Sequence, residues 1–258
     1  MKLHSITALD FDGVLCDSAS ETAETAWQAG RQIWNDWGAS APPAELVERF
    51  RRLRPHLETG YQAVPLMRLA ASNLTDEYIA ESFLSLVDET IANTGLSKKE
   101  MAALFGNTRD RWIEHDLDGW LACHRFYPGT IERLQVAMHH VKVVILTTKQ
   151  ERFVQILLNQ AGVELSTNRI YGLEDGRKKE NILESFLSEA NQQNSSRDIG
   201  FVEDRVETLE RVIQSPSLKN VELYLADWGY NTEAMRQRAR ATERIHILSL
   251  GEFADKSG

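Results

Sequence analysis

The distribution of apolar and polar positions divides the chain into two regions of different character. Short apolar runs of strand length occur at residues 5–10, 141–148, 169–172, 198–203, 221–226 and 245–250. From residue 127 onward they alternate with segments of helical periodicity, at residues 129–139, 149–160, 178–192, 205–214 and 231–241. This alternation predicts an α/β fold, with a doubly wound parallel sheet that carries helices on both faces.

A long segment between the first two strand-like runs contains no convincing strand. At about 125 residues it is too long for a single crossover helix, and we expect it to form a domain of its own. Its apolar residues recur at helical spacing, as at Ile79 and Phe83, which is typical of a helix-bundle core. The sequence therefore predicts an α/β core domain formed by residues 1–15 and 127–258, interrupted by an all-α domain at residues 16–126.

Composition and charge narrow the range of partners. The chain of 258 residues is 42% hydrophobic and 26% charged, which is typical of a folded globular protein. Its 29 Lys and Arg residues are outnumbered by 38 Asp and Glu residues, so that the formal net charge is −9. Binding to nucleic acid or to an anionic membrane surface requires a surplus of basic residues, and we expect neither partner. Small anions are not excluded, because a metal ion or a local cation can bind phosphate within an acidic protein.

The cellular location is expected to be cytoplasmic. The N-terminal sequence reaches an acidic residue at Asp10 and lacks the apolar stretch of a signal peptide. The longest apolar run near residue 143 is far too short to span a bilayer. Cys16 and Cys123 match no zinc-binding spacing and give no support for a disulfide scaffold.

Candidate chemistry begins with Asp10 and Asp12, which follow the first strand-like run and enclose Phe11. Ligands of open α/β sheets bind at the carboxyl ends of the strands, where these two carboxylates would lie. Gly13 provides the tight turn that allows both side chains to face one crevice. Taken alone, the pattern also fits a solvated turn or a calcium-binding loop.

Four features in order along the chain resemble the haloacid dehalogenase (HAD) superfamily, and within it the phosphoglycolate-phosphatase-like members with an inserted helical cap. They are the segment DFDGVL at residues 10–15, Thr147 at the end of VVILTT with Thr148 and Lys149 after it, the pair Lys178 and Lys179, and the acidic pair Glu203 and Asp204. The resemblance covers nearly the whole chain. It implies a HAD-like α/β core with the helical cap inserted after the first motif.

The resemblance implies a reaction in which Asp10 attacks phosphorus and forms an aspartyl-phosphate. Asp12 would protonate the leaving oxygen and then activate the water that hydrolyses this intermediate. Relatives that displace halide from carbon lack this second aspartate, so Asp12 favours phosphoester chemistry. The resemblance thus implies a Mg²⁺-dependent phosphatase whose substrate is a small phosphorylated metabolite.

The remaining matched residues would hold the phosphoryl group and the metal. The implied phosphate-binding residues are Thr147, Thr148 and one member of the pair Lys178 and Lys179, between which helical periodicity does not decide. The implied Mg²⁺ site consists of Asp10, Asp12 through its backbone carbonyl, Asp204, and Glu203 either directly or through a water molecule. A divalent cation and a lysine are needed because an anionic nucleophile must approach an anionic phosphate.

Two other functions remain open. A phosphomutase of the β-phosphoglucomutase kind keeps the same four motifs and passes the phosphoryl group to a sugar hydroxyl instead of water. A HAD-fold binding protein would keep the scaffold without turnover, although the filled motif positions argue against it. The sequence also leaves open whether the protein is a monomer or a homodimer.

Substrate selection is expected to lie in the helical insertion. Its most distinctive stretch, residues 51–61, combines three arginines with a proline and a Gly-Tyr pair. Our hypothesis is that Arg54, Glu58 and Tyr61 line the cleft and recognise the leaving group. The same stretch also fits a helix connection with solvated arginines.

Overall fold

The computed structural model describes residues 2–192 and 198–255. The strands in these residues are β1 (Ile6–Leu9), β2 (Cys16–Asp17), β3 (Arg125–Phe126), β4 (Lys142–Leu146), β5 (Ile170–Tyr171), β6 (Ile199–Glu203), β7 (Glu222–Ala226) and β8 (Ile245–Leu248). The α-helices are α1 (Ala19–Gly30), α2 (Ala44–Leu53), α3 (Ala63–Ala70), α4 (Asp76–Glu81), α5 (Phe83–Ala92), α6 (Lys98–His115), α7 (Leu117–Ala122), α8 (Thr130–His140), α9 (Glu151–Gln160), α10 (Lys179–Gln192), α11 (Val206–Ile213), α12 (Glu233–Arg240) and α13 (Leu250–Ala254). Within this described part of the chain, no helix has both the length and the apolar character that crossing a membrane requires.

The chain divides into two compact units. The α/β unit contains the residues up to Asp17 and those from Phe126 onward, and the helical unit is Ser18–Arg125. The helical unit is therefore an insertion into the α/β unit, which the chain leaves after β2 and re-enters at β3.

The sheet of the α/β unit has six parallel strands in the order β5-β4-β1-β6-β7-β8. The chain runs from β1 outward to β4 and β5 and then returns to β6 on the other side of β1, where Ile6 pairs with Lys142 and with Ile199. In such sheets ligands bind beyond the carboxyl ends of the strands where the order reverses, which here is at β1 and β6. The doubly wound α/β fold expected from the sequence is confirmed.

Both faces of the sheet are buried at the central strand β1. Ile6 of β1 belongs to an apolar cluster that includes Leu183 of α10 and Leu209 of α11. Side chains alternate across a strand, so Thr7 points to the opposite face, and it is equally buried. A strand that is covered on both faces is mostly apolar, which explains why the strand signal in the sequence is a short, largely apolar run rather than an alternating pattern.

The apolar stripes of the helical unit form its core. The indole rings of Trp27 and Trp37 are stacked, with centroids 4.5 Å apart and an interplanar angle of 7°. Ile79 and Phe83, whose spacing predicted a helix-bundle core, are buried in the same apolar cluster.

Candidate active site

Asp10 follows β1 directly, at the carboxyl edge of the sheet. Its backbone N–H donates to the carbonyl of Val202 in β6 at 2.9 Å, so that it continues the pairing of β1 with β6. Its Oδ1 accepts a hydrogen bond from the backbone N–H of Phe11 at 2.7 Å and lies 3.0 Å from Lys179 Nζ. With a residue exposure of 6%, the carboxylate of Asp10 is buried and held in one position.

The residues after Asp10 form a tight turn that packs against Asp204. The carbonyl of Phe11 accepts hydrogen bonds from the backbone N–H groups of Leu15 at 2.9 Å and Cys16 at 3.0 Å. Gly13 lies inside this turn with φ at +87°, in the left-handed region that disfavours a side chain. A Cβ at Gly13 would also overlap Oδ2 of Asp204. The turn therefore requires glycine both for its conformation and for the approach of Asp204.

Three carboxylates meet where β1 and β6 end. One carboxylate oxygen from each of Asp10, Glu203 and Asp204 lies within 4.8 Å of the other two, and all three residues are buried. Oε1 of Glu203 accepts hydrogen bonds from the backbone N–H groups of Asp204 at 3.2 Å and Arg205 at 3.1 Å. The structure thus brings together the side chains of three of the four residues expected at the metal site. The fourth, Asp12, was expected to contribute its backbone carbonyl, and its carboxylate has a different partner.

Lys179 lies among these carboxylates. Its Nζ is 2.7 Å from Oε2 of Glu203 and 3.0 Å from Oδ1 of Asp10. Lys178 precedes α10 and is exposed, and its carbonyl accepts hydrogen bonds from the first turn of the helix. Of the two lysines between which periodicity did not decide, the structure places Lys179 at the acidic cluster.

Burial and crowding perturb the titration of this cluster. Burial raises the pKa of Asp10 to about 7, and repulsion from Glu203 adds to the rise while Lys179 opposes it. Burial also raises the pKa of Glu203. Burial alone would lower the pKa of Lys179, but the attraction of Asp10 and Glu203 raises it above its ordinary value. The lysine therefore stays charged, and it offsets the carboxylate repulsion only in part.

Asp12 is paired with a lysine for which the sequence indicated no role. Nζ of Lys149 lies 3.2 Å from Oδ1 and 3.4 Å from Oδ2 of Asp12. The side chain of Lys149 is 2% exposed and that of Asp12 is 17% exposed. A lysine two residues beyond the strand-terminal Thr147 lies at the same sheet edge as Asp12, and that position is the signal that could have indicated it.

The two candidate threonines have different surroundings. Thr147 follows β4 and is buried, with its N–H donating to the carbonyl of Tyr171 at 3.0 Å. Its Oγ1 accepts a hydrogen bond from the backbone N–H of Lys149 at 3.1 Å. Thr148 is exposed. The hydroxyl of Thr147 is therefore the one held at the carboxyl edge of the sheet.

The turn after β7 fixes Asp204, a contact that the sequence did not indicate. Oδ2 of Asp204 accepts a hydrogen bond from the backbone N–H of Tyr230 at 2.7 Å. The side-chain amide of Asn231 donates to the backbone carbonyls of Asp204 at 3.0 Å and Ala226 at 2.8 Å. A Cβ at Gly229 would overlap Cβ of Asp204, so glycine allows the close approach of this turn. The Gly-Tyr-Asn sequence beyond a strand end predicts a turn near the site, but not its hydrogen bond to Asp204.

The three residues expected to select the substrate lie in the helical unit. Arg54 is buried, and its Nη1 donates to the carbonyl of Leu57 at 3.0 Å. Glu58 is partly buried, and Tyr61 packs against the apolar cluster of the unit. The alternative of a solvated arginine therefore does not apply to Arg54.

The donor set at the sheet edge fits a hard divalent cation. Asp10, Glu203 and Asp204 offer carboxylate oxygens only, which are the ligands that Mg²⁺ prefers. Together with Asp12, Lys149 and Lys179 these groups carry a formal charge of −2. One divalent cation would neutralise that charge.

Solved structures with a similar fold cover almost the whole chain. A predicted phosphoglycolate phosphatase from Haemophilus somnus has a TM-score of 0.60 at 15% identity, over 99% of this chain and 97% of that chain. A predicted phosphatase from Clostridium acetobutylicum has a TM-score of 0.59 at 13% identity, over 98% and 97%. A haloacid dehalogenase-like family hydrolase from Streptococcus pneumoniae has a TM-score of 0.51 at 13% identity, over 96% and 94%.

No protein-family model and no curated protein matches the sequence. At identities of 13% to 15% the structural similarity shows the fold. The chain has the fold of the HAD-like hydrolases, and the fold implied by its four motifs is confirmed.

The position of Lys179 predicts a large difference between two neighbouring substitutions. Lys179→Met leaves Asp10 and Glu203 buried without their cation, and we expect it to lower the free energy of unfolding by about 3 to 5 kcal/mol. Lys178→Met removes the same charge from an exposed position and should change it by less than about 0.5 kcal/mol. Urea unfolding at pH 8 with EDTA measures both. Equal losses in the two variants would contradict the assignment.

The raised pKa of Asp10 predicts a pH-dependent gain from Asp10→Asn in metal-free buffer. At low pH the carboxyl is protonated in both states. Between its ordinary pKa of 3.8 and about 7 the unfolded chain ionises first, so the contribution of Asp10 to the stability of the wild type falls as the pH rises. The free energy of unfolding of Asp10→Asn should therefore exceed that of the wild type by about 2 to 4 kcal/mol at pH 8, and the excess should shrink toward pH 4. Urea unfolding with EDTA across this range tests it, and a pH-independent difference would refute it.

Proposed function

We propose that the chain is a Mg²⁺-dependent phosphatase that hydrolyses a small phosphate monoester through an aspartyl-phosphate. The observation that carries this proposal is the meeting of Asp10, Glu203 and Asp204 with Lys179 at the carboxyl edge of the sheet. Buried carboxylates in contact are costly for folding, which points to a function that needs them. The similarity in fold to proteins described as phosphatases supports the same conclusion.

In the first step Asp10 attacks phosphorus. Its Oδ1 takes the contacts with Phe11 and Lys179, so we assign the attack to Oδ2. A bond forms between Oδ2 and phosphorus, and the bond from phosphorus to the leaving oxygen breaks. The leaving oxygen takes its proton from the carboxyl group of Asp12, which acts as the general acid.

In the second step water hydrolyses the aspartyl-phosphate. The carboxylate of Asp12, now without its proton, takes one from the water molecule as the water oxygen attacks phosphorus. The bond between phosphorus and Asp10 breaks, inorganic phosphate is released, and both aspartates return to their starting states.

The phosphoryl group needs positive charge and hydrogen-bond donors around it. The hydroxyl of Thr147 and the ammonium of Lys179 would hold the phosphoryl oxygens while Asp10 attacks. Asp10, Glu203 and Asp204 would hold Mg²⁺, which would supply the charge that offsets repulsion between the nucleophile and the phosphate.

The test is a phosphatase screen over small phosphorylated metabolites with Mg²⁺, which follows the release of inorganic phosphate. We expect hydrolysis by the wild type, loss of activity in EDTA with recovery on adding Mg²⁺, and a fall in kcat of about a thousandfold or more in Asp10→Asn. Asp118→Asn, which removes an exposed carboxylate in the helical unit, is the matched control. Activity that survives in Asp10→Asn would exclude the aspartyl-phosphate, and an isomerised sugar phosphate in place of inorganic phosphate would indicate a mutase.

We further propose that the helical unit selects the substrate through Arg54, Glu58 and Tyr61. The support lies in Arg54. Its side chain is buried and tied to Leu57, so its guanidinium is held in place instead of moving freely in solvent. A fixed guanidinium is suited to recognise an anionic or polar leaving group.

Arg54→Ala is expected to lower kcat/KM on the preferred substrate by about tenfold or more, because a charged hydrogen bond to the leaving group would be lost. Arg52→Ala removes an exposed arginine two residues away and serves as the matched control. Thermal unfolding of both variants separates a loss of recognition from a loss of folding. An unchanged kcat/KM in Arg54→Ala would remove Arg54 from the proposal.

A further inference from the structure

None of the proposed reaction steps uses Lys149, although its ammonium is paired with Asp12. The ammonium lies at similar distances from both carboxylate oxygens, 3.2 and 3.4 Å, and the lysine side chain is almost completely buried. A buried ammonium is stable only beside a counter-ion, and here the counter-ion is the residue that would act as general acid and base. Lys179 serves the other aspartate, so Asp10 and Asp12 are each paired with a different lysine.

The backbone of Lys149 is fixed from two sides. Its N–H donates to Oγ1 of Thr147 at 3.1 Å, and its carbonyl accepts a hydrogen bond from the N–H of Leu173 at 3.0 Å. A Cβ at Gly172 would lie 2.6 Å from this carbonyl, so the loop after β5 packs tightly against it. Lys149 is therefore anchored to the sheet through its main chain, and its side chain extends from this fixed backbone to Asp12.

We propose that Lys149 is a positioning residue that holds the carboxyl group of Asp12 at the leaving-group oxygen, an inference that rests on the proposed phosphatase function. A general acid must be within hydrogen-bond distance of the atom it protonates, and displacement of a catalytic group by about 1 Å can cost about a hundredfold in rate. The carboxylate of Asp12 is partly exposed, and its side chain has two rotatable bonds that a buried ammonium can restrain. Lys149 acts through Asp12 and makes no contact with the phosphoryl group.

This role makes the effect of Lys149 depend on the leaving group. Phenyl phosphate releases a poor leaving group that must be protonated, whereas 4-nitrophenyl phosphate releases a nitrophenolate that departs with little help from an acid. The ratio kcat/KM covers only the steps up to departure of the leaving group, so the later hydrolysis of the aspartyl-phosphate does not enter it. A lysine that bound the phosphoryl group would affect both esters alike.

The experiment compares Lys149→Met, Lys149→Arg and the exposed-lysine control Lys219→Met with these two esters in Mg²⁺. We expect Lys149→Met to lower kcat/KM by about 10- to 100-fold for phenyl phosphate and by less than about threefold for 4-nitrophenyl phosphate. Lys149→Arg should recover part of the loss, and Lys219→Met should show none. Inhibition by inorganic phosphate should be unchanged, because Lys149 does not bind the phosphoryl group.

The same measurement in the Asp12→Asn background shows whether Lys149 acts through Asp12. There Lys149→Met should lower kcat/KM for phenyl phosphate no further. An equal loss with both esters, a loss that persists in the Asp12→Asn background, or no loss at all would each overturn the proposal. Failure of the phosphatase function is distinguishable, because wild type and Asp10→Asn would then be equally inactive with both esters, and the role of Lys149 would fall with it. Where Lys149→Met does not fold, the comparison rests on Lys149→Arg, whose loss must again be larger for phenyl phosphate.

Discussion

The crowding of Asp10, Glu203 and Asp204 within 4.8 Å is the constraint on which the rest of the site depends. Three buried carboxylates repel one another strongly, because burial removes them from the solvent that would screen their charges. The raised pKa of Asp10 shows this cost, and Lys179 compensates only part of it. A divalent cation among these oxygens would offset their repulsion, which is why the cluster is suited to hold one.

The topology of the sheet produces this crowding. β1 lies beside β6, so residues at the ends of two strands far apart in sequence come to one edge. Close approach then requires small residues around Asp204. Gly13 and Gly229 meet this requirement, because a Cβ at either one would overlap an atom of Asp204. Asp204 therefore lies at the centre of one tightly packed region. The two glycines and the turn after β7 pack directly against it.

The sequence predicts the framework of this site better than its contacts. Apolar runs of strand length indicate the sheet, and the position of Asp10 at the end of the first run indicates the edge at which side chains meet. Thr147 and Glu203 were identified by the resemblance of their motifs to the HAD superfamily. The choice between Lys178 and Lys179 depends on where α10 begins and which way its first side chain points, and these are properties of tertiary packing. The turn that fixes Asp204 is likewise formed by a backbone N–H, which every residue but proline has.

The partner of Lys149 is another contact that the sequence does not predict. Its sequence position gives no reason to prefer Asp12 over Asp10 as its partner, since both aspartates follow β1 and both lie near the end of β4. In the structure the two aspartates have different lysines, and this separation has a chemical consequence. With Lys179 beside Asp10 and Lys149 beside Asp12, each carboxylate is oriented by its own ammonium, so the position of the proposed general acid does not depend on the lysine that contacts the proposed nucleophile.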